Sequence, residues 1–158
     1  MYENMVDVLI YLYENYLDGE RRPPNDQDAL EDELSRAGFS NREIDKALRW
    51  LDELAVGASS APHHPYAERS MRVFTPAETV KLDLEARGLL LYLEQSFILD
   101  PESRELVIDR LLAIDHAPVS VDEIKWVVLL VLMNRPGRED AFSQMEDLVY
   151  NADPLLLH

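Results

Sequence analysis

Residues 124–133 read IKWVVLLVLM, an apolar run broken by a single lysine. Ser120 and Glu123 stand in front of it as an S-x-x-E capping box, and Val119 and Ile124 occupy the two positions of a hydrophobic staple. Asn134, Pro136 and Gly137 close the helix behind it. A helix that is apolar on nearly every side must be covered by neighbours. The stretch therefore predicts a helical bundle with this segment at its centre. The run is well short of the ~20 apolar residues that a bilayer crossing needs.

The same punctuation recurs on either side. A helix is predicted over 2–17, with Met5, Leu9, Leu12, Tyr13 and Tyr16 on one face and Glu3, Asp7 and Glu14 on the other. Arg21-Arg22-Pro23-Pro24 reads as an extended linker. A second helix covers 26–37, and Gly38-Phe39-Ser40 turns the chain. Ser40 with Glu43 forms a second capping box, and Phe39 with Ile44 a second staple, starting a helix over 41–55. Residues 57–68 (GASSAPHHPYAE) read as a loop, and 70–74 (SMRVF) as a short strand. Thr75-Pro76-Ala77-Glu78 opens one long helix with Leu82, Ala86, Leu89, Leu90, Leu93 and Phe97 inward, and with Gly88 marking a close crossing or a kink. Asp100-Pro101 caps a helix to 114, and a last helix spans 139–151. The expected fold is mainly α. A winged-helix-like unit of three helices and a short strand pair (1–75) packs on a helical bundle built on the 121–134 helix (76–158).

The chain has 158 residues and no cysteine, which removes disulfides, thiolate nucleophiles and Cys-ligated metal. The opening Met1-Tyr2-Glu3 lacks the basic start of a signal peptide, so a cytoplasmic location is expected. The net charge of −16 argues against broad attraction to nucleic acid or anionic membrane. Only residues 40–75 are neutral, with five basic and five acidic groups.

Chemistry-bearing patterns are few. D-Q-D-A-L-E-D-E at 26–33 fails as a calcium loop, since Leu30 and Glu31 stand where a ligand and a glycine are required. His63 and His64 are adjacent in the loop and lack ligand spacing. Asp115-His116 falls at a helix end, where a histidine is favourable for dipole reasons alone. No phosphate loop, dinucleotide fingerprint or G-x-S-x-G is present. Catalytic residues, metal ligands and cofactors are assigned to none.

Two candidate surfaces emerge. Helix, Gly-Phe-Ser turn, helix and strand form a helix-turn-helix pattern, which would turn Arg42, Lys46 and Arg49 toward phosphates, with Arg69 and Arg72 as a basic wing. Glu53 on the same stripe and the spacing of Arg49 to Glu53 also fit a solvated face. The Gly38-Phe39 turn followed by Ala47-Leu48 is similar to ubiquitin-associated-type domains, which bind proteins through that turn. Phe39, Trp50 at the edge of the third helix's buried face, and the apolar Leu155, Leu156 and Leu157 are the candidate contacts to a protein partner, while Phe39 also fits a staple alone and the tail also fits docking on its own domain.

The stretches LEDELSRAGFSNREIDKALRWLDEL, SMRVFTPAE, GLLLYLEQSFILD, IKWVVLLVLMNRPG and the closing LLLH resemble the bacterial Smg family, also catalogued as a domain of unknown function. The resemblance covers most of the chain outside 57–68. It implies a small, mostly helical cytoplasmic protein and brings no catalytic residues. It also implies genes lying near those for DNA processing and translation factors. The expectation is a non-enzymatic adaptor or regulator acting through a protein partner, without membrane contact. The alternative is a winged-helix binder of nucleic acid with weak affinity, linked to DNA processing or translation. The Ser40 cap offers a local check. Ser40→Ala is expected to lower stability by about 0.5–2 kcal/mol, and an unchanged denaturation midpoint would remove this placement of the third helix.

Overall fold

The computed structural model describes residues 4–17, 26–60 and 73–150, and every regular element among them is helical. The chain divides into two compact units, Met1–Glu53 and Leu54–His158.

In the first unit, Asn4 caps α1 (Met5–Leu12) by accepting from the Val6 and Asp7 N–H groups at 2.9 and 3.2 Å. The helix widens into a π-helical turn over Tyr13–Leu17. There Asn15 Nδ2 donates to the Tyr11 carbonyl at 2.9 Å, a side-chain bond that competes with the backbone ladder. Asp26 caps α2 (Gln27–Arg36), and Ser40 Oγ accepts from Glu43 N–H at 3.3 Å at the start of α3 (Asn41–Ser60). The division between the units falls inside α3.

The second unit is arranged around α7 (Val121–Met133), which begins at the predicted Ser120–Glu123 box. Ile124 and Val127 through Leu132 are all buried, with α5 (Leu84–Gln95), α6 (Pro101–Leu112) and α8 (Glu139–Tyr150) packed against the helix. Lys125 lies along this apolar surface with its stem covered. Trp126 meets Tyr150 edge-on, with ring centroids 5.7 Å apart. No described helix is long and apolar enough to cross a membrane.

Three expectations are corrected. No strand occurs among the described residues, so the winged-helix-like unit with its strand pair is not supported. Val73 and Phe74 are not strand, and 70–72 lie outside the described residues. Second, α3 does not stop at Ala55. Gly57 continues it, close against α6: a Cβ there would meet Leu106 Cδ1 at 2.9 Å. Small residues that read as loop are helical where they begin. Third, the long fourth helix is two. α4 (Pro76–Lys81) ends as Leu82 turns extended (φ −116°, ψ 105°), and Asp83 Oδ1 caps α5 through Ala86 N–H at 2.9 Å. Aspartate disfavours a helix interior and favours its start. Val119 N–H takes the freed Lys81 carbonyl at 2.9 Å.

Leu130 is wholly buried in the helix on which this unit rests. Leu130→Ala is expected to cost ~2–5 kcal/mol in chemical denaturation. A loss below about 1 kcal/mol, under the range for such cavities, would mean that α7 is not central.

Candidate functional site

Helices α2 and α5 end in the same hydrogen-bonded motif but differ at its critical position. After α2, Gly38 N–H donates to the Ser35 carbonyl (3.1 Å) and Phe39 N–H to the Leu34 carbonyl (3.2 Å), with Gly38 at φ 109°. After α5, Phe97 N–H donates to the Glu94 carbonyl (3.1 Å) and Ile98 N–H to the Leu93 carbonyl (3.0 Å). The glycine position of this Schellman motif is held here by Phe97 at φ 62°. A left-handed conformation costs a non-glycine residue roughly 1–2 kcal/mol. Burial of the ring does not offset that cost, because Phe97 is 85% exposed.

The turn is clamped from behind. Arg138 Nη2 donates to the carbonyls of Phe97 (3.0 Å) and Ile98 (2.7 Å). Arg104, itself buried, joins Glu94 of α5 at 2.6 Å and Glu105 at 2.8 Å, and Arg135 reaches Glu102 at 3.0 Å. Asp100 caps α6 by accepting from Ser103 N–H at 2.7 Å. Burial pushes its carboxyl up. The Ser103 hydroxyl, close by although outside strict hydrogen-bond geometry, opposes this together with the Ser103 N–H, Arg138 and Arg135. The net result holds Asp100 below the ordinary aspartate value.

The α5 face leading to Phe97 is apolar on the outside as well. Ala86, Leu90 and Leu93 are buried. On the opposite side Leu84, Gly88, Leu91 and Gln95 recur at helical spacing, with Tyr92 beside them. Leu84 is 77% exposed, Leu91 47% and Tyr92 41%. Beyond its own helix and its chain neighbours, nothing lies within 4 Å of where a Cβ of Gly88 would stand, so no close crossing among the described residues explains it. A mid-helix glycine costs about 1 kcal/mol relative to alanine.

The residues singled out from sequence lie elsewhere. Phe39 is 4% exposed and Trp50 2%, so as placed neither is offered to a partner. Phe39 meets Tyr11 edge-on at 5.4 Å. Leu155, Leu156 and Leu157, like His63, His64, Arg69 and Arg72, fall outside the described residues. Arg42 and Arg49 are exposed, and Lys46 lies 3.4 Å from Glu43. No ion pair joins Arg49 to Glu53 among the described residues. His116 Nε2 bonds Glu123 Oε2 at 2.8 Å, while Asp115 stands 3.9 Å from Nδ1. The histidine thus ties its loop to the α7 cap. Among the described residues no three His, Asp or Glu side chains are placed to hold a metal.

A family model described as "Protein of unknown function (DUF494)" matches residues 5–158. Proteins described as "Protein Smg homolog" match end to end. Those of Alkalilimnicola ehrlichii and Halorhodospira halophila are each 49% identical over 158 residues, covering 100% of both chains. That of Vibrio cholerae is 45% identical over 157 residues, covering 98% of this chain and 99% of its own. The chain belongs to the Smg family. No solved structure matches it.

The exposed surface was missed in the sequence because Phe97 reads as the last member of an inward stripe. The available signal was Asp83. Once a cap restarts the helix there, Leu84 and Leu91 fall opposite Ala86, Leu90 and Leu93.

Asp100 gives this corner of the chain a pH signature. A carboxyl held below its unfolded value stabilises the fold above that value, and the contribution is lost as pH falls through the folded one. Asp100→Asn can still cap. It is expected to be less stable than the parent near neutral pH, with the gap closing below about pH 4. A gap constant across that range would deny the carboxylate its role.

Proposed function

We propose that the chain is a non-enzymatic adaptor or regulator that works through protein–protein contacts made by the outer face of α5 and Phe97. The observation that carries this reading is Phe97, an aromatic ring held out in a strained backbone conformation. Strain of this kind persists where surrounding structure enforces it, and it clusters at working sites. Here Arg138 supplies the enforcement. Exposed apolar surface around such a ring is where partners anchor, since aromatic residues dominate interface energetics.

The nucleic-acid reading keeps one support, the exposed Arg42 and Arg49 on α3. Weighing against it are the engagement of Lys46 with Glu43 and a net charge of −16 that repels a polyanion. Protein contact is therefore preferred.

Photo-crosslinking in living cells separates the two. Phe97→p-benzoylphenylalanine is expected to give a discrete adduct with protein that survives nuclease. Arg49→p-benzoylphenylalanine is expected to give none. A nuclease-sensitive adduct at 49 with none at 97 would reverse the preference, and an empty lane at 97 alone would remove the proposed surface.

A further inference from the structure

The protein-contact reading leaves the partner's chemistry open, and the charges around the α5 face bear on it. The second unit carries nine basic and seventeen acidic side chains. Each of its five described arginines is engaged within the chain. Arg87 Nε donates to the Asp83 carbonyl, Arg104 pairs with Glu94 and Glu105, and Arg110 pairs with Asp109. Arg135 pairs with Glu102, and Arg138 holds the Phe97 turn. The pairing consumes carboxylates and arginines alike, and the excess of acidic over basic groups in the unit remains. Glu85 stands exposed on the flank of the apolar strip, with no hydrogen bond or ion pair among the described residues.

The shape of the strip restricts the partner further. Gly88 lies between Leu84 and Leu91, exposed and with open space around it. An element crossing there meets backbone instead of side chain, so it can come close. Side-chain ridges of an α-helix fill a notch of that kind. Phe97, 85% exposed, follows the end of α5 by two residues and adds a further apolar anchor for the same element.

Resting on the protein-contact reading, we infer that this face receives a basic amphipathic helix of another protein. Its apolar ridge would lie in the Gly88 notch against Leu84, Leu91 and Phe97, and its lysines or arginines would face Glu85 and the surrounding carboxylates. A second copy of this chain is the poorer occupant, since each copy carries −16 and like charge would meet like charge around the contact.

The test uses the full chain and a random 16-residue peptide library displayed on phage. Selection is expected to enrich sequences with apolar residues at i, i+3, i+4 and i+7 flanked by Lys or Arg. Synthetic peptides from the pool should bind about tenfold or more weakly to Phe97→Gly and to Gly88→Leu, the scale of a lost interface anchor. They should also weaken with Glu85→Arg and with added salt. Neither Phe97→Gly nor Gly88→Leu should destabilise the fold, because one relieves a left-handed strain and the other replaces an exposed helical glycine. Loss of binding with an unchanged or raised denaturation midpoint therefore reads on the surface itself. A pool that is acidic or non-helical, an empty selection, or binding indifferent to both variants overturns the inference. So does a dimer in sedimentation that Phe97→Gly dissociates. If the adduct at 97 forms while the library fails, the protein-contact reading stands and only the partner's chemistry falls.

Discussion

The Leu54–His158 unit depends on a helix that has no polar face. Ile124 and Val127 to Leu132 point all around the α7 axis, so leaving any side open would expose large apolar area to water. α5, α6 and α8 supply the cover. Their own patterns follow from that duty. α5 gives Ala86, Leu90 and Leu93 inward, α6 gives Val107, Ile108 and Leu111, and α8 gives Ala141 and Met145. The entry to α7 also completes a neighbour, since Val119 N–H closes the last turn of α4.

Arginine does the joining at the ends of these helices. Arg104 links α5 to α6, Arg135 links the end of α7 to α6, and Arg138 links the start of α8 to the turn after α5. The planar guanidinium suits such work because it can hold two acceptors at once in fixed geometry. The consequence is electrostatic as well as mechanical. Each Arg–carboxylate pair removes one charge of either sign, so the excess of carboxylates set by composition remains. The clamp that holds Phe97 in a left-handed conformation belongs to the same set.

What could be read before folding was mostly local. Ser120 with Glu123 and Thr75 with Glu78 form reciprocal capping boxes where the sequence places them, because a cap needs only residues three apart. Misreadings arose where one pattern served two structures. The apolar spacing Leu82, Ala86, Leu90, Leu93 runs unbroken through the point where the helix stops and restarts, since the same core lines both pieces. Gly57 carried the mark of a loop and proved to be a packing surface, a distinction that depends on Leu106, forty-nine residues away. Trp50 and Phe39 have the chemistry of anchors, yet they are buried.

By itself the sequence determined the mainly helical class, the central place of 124–133, the starts of the capped helices and the excess of carboxylates. Each of these depends on residue type and short spacing. The tertiary structure decided which apolar residues were left over. An inward and an outward leucine on α5 look alike along the chain, and only the placement of α7 tells Leu90 from Leu91. Phe97 is the extreme case. Its ring would suit a core, but the hydrogen bonds that close α5 and the hold of Arg138 set its backbone at φ 62° and turn it to solvent.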